Sequence, residues 1–331
     1  MDLGPQHLRM IVAVSETGSI GKAAARLDLT QPAVSTMLRR VEKHLGVRLF
    51  VRSPSGVALT PIGAEVATRA GAVLACIDDL NTTLAGSRAG GAARPLLRLG
   101  AQACPALTLL GEHLGTLAPE TQIQLRVDQG AGRIPPLLAS GALDVGFVQE
   151  PVGHAAEEPA GVERCVLIDR EPLFVGMSSR DPLAARSTVD LADLADRDWV
   201  DDPADDGPFP AYFREVCRGA GFQPRVRFWS GDWQISSSIV RTGRAVGIYQ
   251  PTALPREGVV FRRLTGDPLA QRVVLMWRPE ARPVALRLRD SLTRIYLGLV
   301  RSNDVYAAWW DAHPAAHPGL PALALARSGE G

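Results

Sequence analysis

The sequence predicts an α+β protein in three parts: a small helical head closed by a β-hairpin, a linker helix, and a body in which strands and helices alternate. Apolar residues of the head recur first at helical and then at strand spacing. The linker has a heptad-like repeat, and the body repeats short apolar strands between amphipathic helices. With 331 residues, 46% of them hydrophobic, the chain is long enough for two or three domains with apolar cores.

Two short helices joined by a tight turn form the centre of the head. Ser19 is a suitable N-cap for the first helix, and Thr30 is a suitable N-cap for the second. The second helix has apolar residues at spacings of four, three and four, and it ends at Gly46. Two helices joined in this way form a helix-turn-helix, in which the first turn of the second helix enters the major groove of DNA.

A short hairpin follows these helices. Residues 46–52 have a strand pattern, residues 53–56 have a turn composition, and residues 57–60 form a returning strand, which makes the head a winged helix-turn-helix. Residues 1–60 contain eight Arg and Lys residues against four acidic residues, although the whole chain has a net charge of only +1. A basic head on a mildly acidic body is typical of a module that binds phosphate groups.

Four motifs in the head resemble the DNA-binding domain of LysR-type transcriptional regulators. They are TGSIGKAA at 17–24, TQPAVS at 30–35, VEKHLGVRLF at 41–50 and LTPIG at 59–63. In the body, DVGFV at 144–148 and GRAVGIY at 243–249 resemble strand motifs of the same family. The resemblance covers about residues 5–300. It implies a DNA-binding regulator of transcription whose DNA affinity or DNA bending responds to a small-molecule effector.

The resemblance also implies the domain organisation. The body becomes an effector-binding α/β domain of two lobes with a ligand cleft between them, similar to periplasmic solute-binding proteins. The predicted boundaries are 1–60 for the head, 61–85 for the linker helix, 86–94 for a hinge, 95–301 for the effector domain (lobe I about 95–165 and 268–301, lobe II about 166–267) and 302–331 for a C-terminal extension. The extension is expected to be partly disordered: residues 306–310 could pack on the body or on a neighbouring subunit, whereas the Pro-rich tail at 313–321 is expected to be mostly disordered.

The linker has the spacing of a coiled coil. Its apolar residues follow one another at intervals of 4, 3, 4, 3 and 4, at Val66, Ala70, Val73, Ile77, Leu80 and Leu84. An amphipathic helix buried against its own domain is the alternative. The Gly-rich segment that follows indicates a flexible hinge, which leaves the helix free to pair with a second chain. The family resemblance implies the same pairing, in a dimer or a tetramer.

The head offers two kinds of DNA contact. Gln31 can contact an adenine, Pro32 a thymine methyl group, and Ser35 a base or a phosphate. These three positions face the groove in the family, whereas Thr36, the fourth predicted base-reading position, stands where an arginine is usual. Arg48 either contacts a phosphate or forms an ion pair within the head. Phosphate contacts, which position the protein without reading sequence, are expected from Ser19, Thr30, Arg39, Arg40, Arg52 and Ser53.

The effector cleft is predicted where strand ends meet helix N-termini, because free N–H groups there favour an anion or a polar head group. The candidate residues at these positions, with the aromatic side chains grouped around them, are Gln102, Cys104, Gln149, Asp202, Phe209, Trp229, Ser230, Trp233 and Tyr249. Residues 201–206 hold four acidic residues, which fits either a solvated loop or a site for a cationic or hydroxyl-rich effector. The sign of the effector's charge therefore stays open.

Two alternative functions follow from parts of the chain. The body alone would suit a solute-binding protein, but the N-terminus lacks the pattern of a secretory signal. Cys104, at a predicted helix N-terminus, would suit a redox-sensing regulator, although no second cysteine is close in sequence. Motifs of serine hydrolases, zinc proteases, P-loop enzymes and dinucleotide-binding enzymes are absent, so no enzymatic activity is predicted.

The remaining composition predicts the compartment and the partners. The four cysteines are widely spaced, which fits a reducing cytoplasm and gives no metal site. No segment has the ~20 consecutive apolar residues of a membrane span. The expected partners are double-stranded promoter DNA, further copies of the chain, a small metabolite and RNA polymerase, with no cofactor and no membrane.

Overall fold

The computed structural model describes residues 3–53, 56–67, 69–71, 73–74, 77, 96–117, 121–128, 130, 132–154, 159, 161–202 and 207–320. The chain forms two compact units, and the main division between them falls after residue 94. The first unit holds the head and the linker, and the second holds the body. Among the described residues, no helix is long and apolar enough to cross a membrane.

The head packs helices against a two-stranded wing. Its elements are α1 (Pro5–Thr17), α2 (Ile20–Arg26), α3 (Gln31–Leu45), β1 (Phe50–Ser53) and β2 (Gly56–Leu59). The two strands are antiparallel, with Phe50 opposite Leu59. The apolar faces of the helices meet in a core that includes Met10, Ile11, Val14, Val34, Leu38 and Val41. The predicted winged helix-turn-helix is confirmed.

A buried glutamate joins α3 to the wing. Glu42 lies on α3 and is only 7% exposed. Its Oε1 accepts hydrogen bonds from the backbone N–H groups of Leu49 and Phe50, at 2.8 and 3.1 Å. Arg48 lies 3.5 Å from the other carboxylate oxygen, although its side chain is 79% exposed. Of the two roles predicted for Arg48, the structure contains the ion pair within the head.

The linker begins directly on the head. The described residues 61–67, 69–71, 73–74 and 77 are helical and form α4. Thr60 prepares the start of this helix, because its hydroxyl oxygen accepts a hydrogen bond from the Gly63 N–H at 3.0 Å. A Cβ on Gly63 would come 1.9 Å from the carbonyl oxygen of Leu49. Only glycine allows this close approach of the linker to the wing.

The heptad positions of the linker have different surroundings. Val66 packs against the head core and Ala70 is buried, whereas Val73 is 48% exposed and Ile77 is half-buried. The first turns of α4 therefore belong to the head, whereas Val73 lies beyond the head core. The predicted positions outside the described residues are Leu80, Leu84 and the hinge at 86–94.

The first lobe of the body is a five-stranded sheet with helices packed on it. β3 is parallel to its neighbours β4 and β5, whereas β13 is antiparallel to its neighbours β5 and β6. The sheet order is β4-β3-β5-β13-β6, built from β3 (Leu96–Gln102), β4 (Gln122–Asp128), β5 (Val145–Pro151), β6 (Glu163–Pro172) and β13 (Ala270–Trp277). The helices of this lobe are α5 (Pro105–Leu117), α6 (Ile134–Ala139) and α9 (Arg282–Arg301).

The second lobe contains a four-stranded sheet in the order β11-β7-β12-β8 and a parallel β9-β10 pair. A bridge between Trp199 and Val246 joins the pair to the rest of the lobe. Its strands are β7 (Phe174–Ser178), β8 (Thr188–Val189), β9 (Asp198–Asp201), β10 (Arg225–Trp229), β11 (Gly247–Tyr249) and β12 (Val259–Leu264), and its helices are α7 (Phe209–Gly219) and α8 (Trp233–Arg241). Short 3₁₀ turns lie at Pro182–Ala185 and Leu191–Leu194. The predicted fold class, with its two-lobed α/β body, is confirmed.

The chain enters the second lobe later than predicted. β6 pairs with β13 from the Glu163–Trp277 pair to the Pro172–Ala270 pair, so it lies entirely in the first sheet. The first lobe therefore extends to about residue 172 rather than 165, and the second lobe begins with β7. An apolar pattern predicts that a strand forms, but it does not predict which strand is its partner, because that partner lies about 100 residues away in the chain.

The C-terminal extension is folded over most of its length. It contains α10 (Asp304–Ala312) and a 3₁₀ turn at Pro314–Ala316. Tyr306, Trp309 and Trp310 are buried in the core of the first lobe. His313 stacks on Trp309 and His317 stacks on Trp310, with ring centroids 4.9 and 3.9 Å apart. The expectation of a mostly disordered Pro-rich tail is wrong for residues 313–320, because stacking of its two histidines on buried tryptophan rings outweighs the Pro-rich composition; residues 321–331 lie outside the described residues.

The extension ends against the edge of the first sheet. β6 is the last strand in the sheet order. The Gly319 N–H donates a hydrogen bond to the carbonyl oxygen of Leu167 on β6 at 3.3 Å. A Cβ on Gly319 would lie 2.1 Å from the carbonyl oxygen of Val166. The extension therefore lies directly on the backbone of the edge strand.

Candidate DNA interface and effector cavity

The N-termini of α2 and α3 are both closed by hydroxyl side chains. Ser19 Oγ accepts a hydrogen bond from the Lys22 N–H, and Thr30 Oγ1 accepts one from the Ala33 N–H, each at 3.4 Å. A hydroxyl that accepts in a cap still has its own hydrogen to donate. Ser19 and Thr30 can therefore cap a helix and also donate to a phosphate, which is the role predicted for them.

The first turn of α3 presents the predicted base-reading residues. Gln31 and Pro32 are exposed, and Ser35 and Thr36 are half-buried one turn later. The guanidinium of Arg39 lies 3.5 Å from the Thr36 hydroxyl oxygen, to which its Nη2 donates a weak hydrogen bond. The family pattern has an arginine at the position of Thr36. In this chain the positive charge near that position comes from Arg39, about one turn later on α3. Arg40 is exposed on the same helix.

A groove beside α3 adds residues that the sequence did not point to. It is formed by the start of α1 and the first turns of α3, and its lining includes Gln6, His7, Pro32, Thr36 and Arg40. The exposed Gln6 therefore lies next to the predicted base-reading residues. An exposed polar residue in the first turn of a helix is common, so the sequence contains no signal that singles out Gln6.

The wing is attached to the start of the helix-turn-helix through its backbone. The Val57 N–H donates a hydrogen bond to the Gly18 carbonyl oxygen at 2.9 Å. Gly56 has a φ of +140°, and its backbone passes so close to this oxygen that a Cβ would clash with it. Arg52 and Ser53 occupy the last two positions of β1, opposite Val57 and Gly56. The two wing residues predicted to contact phosphate therefore lie at the hairpin end of the wing.

The body contains a cavity of about 210 Å³ lined by residues of both lobes. Six of the nine predicted pocket residues line it: Gln102, Gln149, Asp202, Phe209, Ser230 and Tyr249. Asp201, one of the acids of residues 201–206, lines it as well. The sequence did not point to the other lining residues, which are Pro151, Leu173, Trp199, Val200, Phe213, Ser236, Gly247, Ile248, Gln250 and Gln271. Most of them lie on or just after strands that the sequence predicts, but only the tertiary structure brings the two lobes' strand ends together.

Three predicted pocket residues do not line this cavity. Trp229 is 58% exposed, because side chains alternate along β10 and it lies on the opposite face from Phe228. Trp233 is 38% exposed and packs edge-to-face against the outside of Tyr249, with ring centroids 5.3 Å apart. Cys104 packs with the core of the first lobe. Strand alternation predicts the position of Trp229, whereas the positions of Trp233 and Cys104 depend on tertiary packing.

Several buried polar groups in the cavity lack partners. Among the described residues, the side-chain amide of Gln149 has no partner other than the weak Cys104 thiol, and Trp199 Nε1, the Tyr249 hydroxyl and Gln250 Oε1 have none. Gln149 and Trp199 are 4% and 1% exposed. A buried polar group without a hydrogen bond costs roughly 1–3 kcal/mol, so such groups in a cavity indicate a site for water or a ligand. The backbone N–H of Gln149 donates to Gln102 Oε1 at 3.0 Å, which connects β5 to β3 at the cavity.

The wall formed by the second lobe is acidic. Asp201 and Asp202 line the cavity at the end of β9. Burial raises the pKa of Asp201; the backbone N–H of Asp202 and the charge of Arg214 lower it, and the charge of Asp202 raises it further. The nearby α8 N-terminus is capped by Asp232, whose carboxylate accepts from the N–H groups of Gln234 and Ile235. The two other acids of residues 201–206 lie outside the described residues.

Comparison with known proteins now assigns both units. Residues 5–64 match the bacterial regulatory helix-turn-helix protein, lysR family, and residues 90–295 match the LysR substrate binding domain. The chain belongs to the LysR family. It is a DNA-binding transcriptional regulator with an effector-binding domain.

Relatives and solved structures support this assignment over most of the chain. A small neutral protease regulatory protein of Streptomyces coelicolor is 37% identical over 316 residues, which cover 93% of this chain and 97% of the relative. The transcriptional regulator AlsR of Bacillus subtilis is 26% identical, with 83% of this chain and 90% of AlsR covered. The crystal structure of the LysR regulator CbnR has a TM-score of 0.55 at 21% identity, covering 88% of this chain and 99% of CbnR, and shows the same fold.

The chemistry of Cys104 argues against redox sensing in this LysR-family regulator. Burial raises the pKa of the Cys104 thiol to about 12, against smaller opposing contributions from the Leu107 N–H and the Gln149 side chain. The helix N-terminus predicted to activate this thiol is thus outweighed by its desolvation. A thiol with this pKa stays protonated near neutral pH and is a poor nucleophile.

A second buried carboxylate connects the extension of this regulator to the cavity. Glu171, at the end of β6, is fully buried. The Tyr306 hydroxyl donates to its Oε1 at 2.6 Å, and Gln271 Nε2 donates to its Oε2 at 2.7 Å. Burial raises the pKa of Glu171 to about 7, although both hydrogen bonds lower it. Gln271 also lines the cavity. One side-chain amide therefore contacts both the cavity and Glu171, which in turn accepts a hydrogen bond from Tyr306 of α10.

Proposed function

We propose that this LysR-family regulator binds promoter DNA as a dimer or tetramer through α3 and the wing, and that a small molecule in the body cavity changes the DNA affinity or the DNA bending. The observation that carries the proposal is the first turn of α3. There, exposed Gln31 and Pro32 follow a hydroxyl-capped N-terminus. A helix N-terminus favours phosphates through its dipole and the N–H groups that the cap leaves free, and an exposed Gln can contact an adenine with both amide atoms.

The roles of the other head residues follow from their positions. Ser19 and Thr30 have hydroxyl hydrogens available for phosphates, and Arg39 and Arg40 extend from α3 beyond the base-reading turn. These contacts give affinity for any DNA, whereas contacts to base edges give specificity. Pairing of linker helices stays part of this proposal, supported by the exposure of Val73 beyond the head core. Action in the cytoplasm and contact with RNA polymerase also belong to it.

The base-reading role is tested by replacing Gln31. Gln31→Ala should weaken binding to the regulator's own promoter fragment by roughly 5- to 150-fold, which corresponds to about 1–3 kcal/mol. Binding to a scrambled fragment of equal length should hardly change. The readout is fluorescence anisotropy at one fixed salt concentration, because DNA affinity depends strongly on salt.

The matched control is Gln124→Ala, which removes an exposed glutamine of the body. It should bind both fragments as the parent does. Equal losses on promoter and scrambled DNA for Gln31→Ala would show that Gln31 is not a base reader. Failure of the parent to prefer its promoter over scrambled DNA would contradict the proposal as a whole.

A narrower proposal concerns the target gene. The Streptomyces coelicolor relative that matches along nearly the whole chain is named a small neutral protease regulatory protein. We infer that the targets of this regulator include the gene of a small neutral protease. Genome-wide mapping of bound DNA in the source cell should find a peak upstream of such a gene, and peaks that all lie elsewhere would contradict the inference.

A further inference from the structure

The second-lobe wall of the body cavity carries two carboxylates beside two donors, Trp199 Nε1 and the Tyr249 hydroxyl, that have no partner among the described residues. Asp201 and Asp202 contribute carboxylates, and no Lys, Arg or His is found among the described residues that line the cavity. Arg214 is close enough to Asp201 to lower its pKa, but it is not part of the lining. The ligand-facing charge of this wall is therefore negative.

The serine hydroxyls of the wall already donate their hydrogens. Ser230 Oγ donates to the Asp232 carbonyl oxygen at 3.3 Å and accepts from the Asp232 N–H at 3.2 Å, and Ser236 Oγ donates to the Ser230 carbonyl oxygen at 3.0 Å. Each hydroxyl has one hydrogen and two lone pairs, so only lone pairs remain for a ligand. Both serines therefore add acceptors to the acidic wall.

The side-chain amide of Gln271 can add a further acceptor to the cavity. Its Nε2 donates to Glu171 at 2.7 Å, and this bond sets which end of the amide faces away. This bond leaves Oε1 unused, so Gln271 can offer an acceptor to the cavity that it lines. Gln250 Oε1, also in the lining, is buried without a partner among the described residues.

The α8 N-terminus, where an anion would bind, is already occupied by the side chain of Asp232. The Asp232 carboxylate accepts from the Gln234 and Ile235 N–H groups at 2.7 and 2.9 Å. These are the free N–H groups that make a helix N-terminus attractive to an anionic ligand. An anion in the cavity would meet the carboxylates of Asp201 and Asp202 without that compensation.

Two buried groups in the lining, Gln149 of the first lobe and Trp199 of the second, indicate a bound molecule rather than a solvated acidic loop. Gln149 is 96% buried and Trp199 is 99% buried, and the polar side-chain atoms of both lack an N or O partner among the described residues. Trp199 Nε1 is a donor, so the ligand also needs an acceptor such as a hydroxyl or carbonyl oxygen. The cavity volume of about 210 Å³ lies below the roughly 300–1,000 Å³ of drug-sized sites, which indicates a small ligand.

We propose that the effector is a small organic cation whose amine or guanidine group binds the Asp201–Asp202 wall. The inference rests on the proposed function, because it names the ligand class of the same cavity. The inference assigns a positive charge to the effector, whereas the sequence left the sign open. The loss of Asp201 and Asp202 charge should abolish binding, and a carboxylate of the same size should not bind.

The test compares amines with acids of matched shape on the full-length protein. The probes are benzylamine against benzoate and putrescine against succinate, each up to about 10 mM, where millimolar dissociation constants are detectable as ligand-induced stabilisation. At least one amine should give a saturable rise in Tm of roughly 2–4 °C at pH 7.5. Asp201→Asn and Asp202→Asn should each reduce the apparent affinity at least about tenfold. Glu257→Gln, which removes an exposed acid of the same lobe that does not line the cavity, should leave it unchanged.

The outcomes separate the ligand class from the site. If the acids raise the Tm and the amines do not, or if neither amine gives a saturable rise, the cationic class is wrong. If an amine effect survives in both Asn variants, the acidic wall is not its binding site. Ser236→Phe, which fills the cavity, should abolish every specific shift; shifts that persist in this variant contradict the cavity itself, and with it the effector part of the proposed function.

Discussion

Glu42 in the head and Glu171 in the body are both buried, but different kinds of donors hold them. Glu42 accepts from the backbone N–H groups of Leu49 and Phe50. Glu171 accepts from the side chains of Tyr306 and Gln271, which lie on α10 and β13. Backbone donors are fixed by the fold, whereas side-chain donors respond to what else they contact. The head therefore uses its carboxylate to fix the wing, and the body places its carboxylate beside a cavity residue.

The largest expected effect is on Glu171. Its pKa is raised from 4.5 to about 7 in the folded protein, so the native state binds this proton more tightly than the unfolded chain does. The contribution to stability is full below about pH 4.5 and is lost as the pH rises through 7, by roughly 3 kcal/mol. Glu171→Gln cannot lose this proton. The free energy of unfolding of the variant minus that of the parent should therefore be about 3 kcal/mol larger at pH 8 than at pH 4.5.

Urea unfolding followed by tryptophan fluorescence measures this difference, because all six tryptophans lie in the body. Glu257→Gln supplies the control for removing an exposed carboxylate. The difference between variant and parent should change with pH only for Glu171→Gln. If the difference in unfolding free energy between variant and parent does not change with pH, Glu171 is ionised across the range. The contrast with Glu42 would then consist only in the kind of hydrogen-bond donor.

A smaller effect is expected for Glu42→Ala. The substitution leaves two buried N–H groups without an acceptor, at a cost of about 2 kcal/mol to the head. Hydrogen exchange of the Leu49 and Phe50 amides should accelerate, while the tryptophan transition of the body stays in place. Glu42→Gln keeps an acceptor oxygen and should lose less. Unchanged exchange in Glu42→Ala would show that the wing is held by other contacts.

The smallest effect is expected for Arg48→Gln. The Arg48 side chain is 79% exposed and lies 3.5 Å from Glu42, so water and salt screen the pair. Such pairs contribute at most about 1 kcal/mol. Amide exchange at Leu49 should stay close to that of the parent. A loss equal to that of Glu42→Ala would assign the fixing of the wing to the ion pair instead of the backbone donors.

The sequence predicted the head almost completely because its signals are local. Ser19 and Thr30 cap helices as expected, and Gly46 ends α3 with a φ of +70°. The motifs of the head lie within one continuous segment, so each pattern and its structural partner are close in the chain. The same holds for the existence of most body strands.

The cavity was predicted only in part because it depends on distant contacts. Asp202 and Ser230 follow strand ends, which is a local signal, and both line the cavity. Gln271 lines it because β13 returns to the first sheet, and its orientation depends on Glu171, 100 residues earlier. Trp229 was placed wrongly although strand alternation separates it from Phe228. Partner choice between strands and amide orientation are properties of the folded chain that no local pattern contains.

The position of the extension on β6 has a consequence for solubility. An uncovered edge strand presents free backbone groups that can pair with another molecule and start aggregation. Gly319 covers part of this edge through its hydrogen bond to Leu167, and the aromatic residues of α10 hold the segment in place. A body fragment cut at residue 301 would therefore expose both an apolar patch and a strand edge. A fragment that continues to residue 320 keeps that part of the edge covered, so we expect the smallest well-behaved form of the effector domain to extend beyond the end of its family match at residue 295.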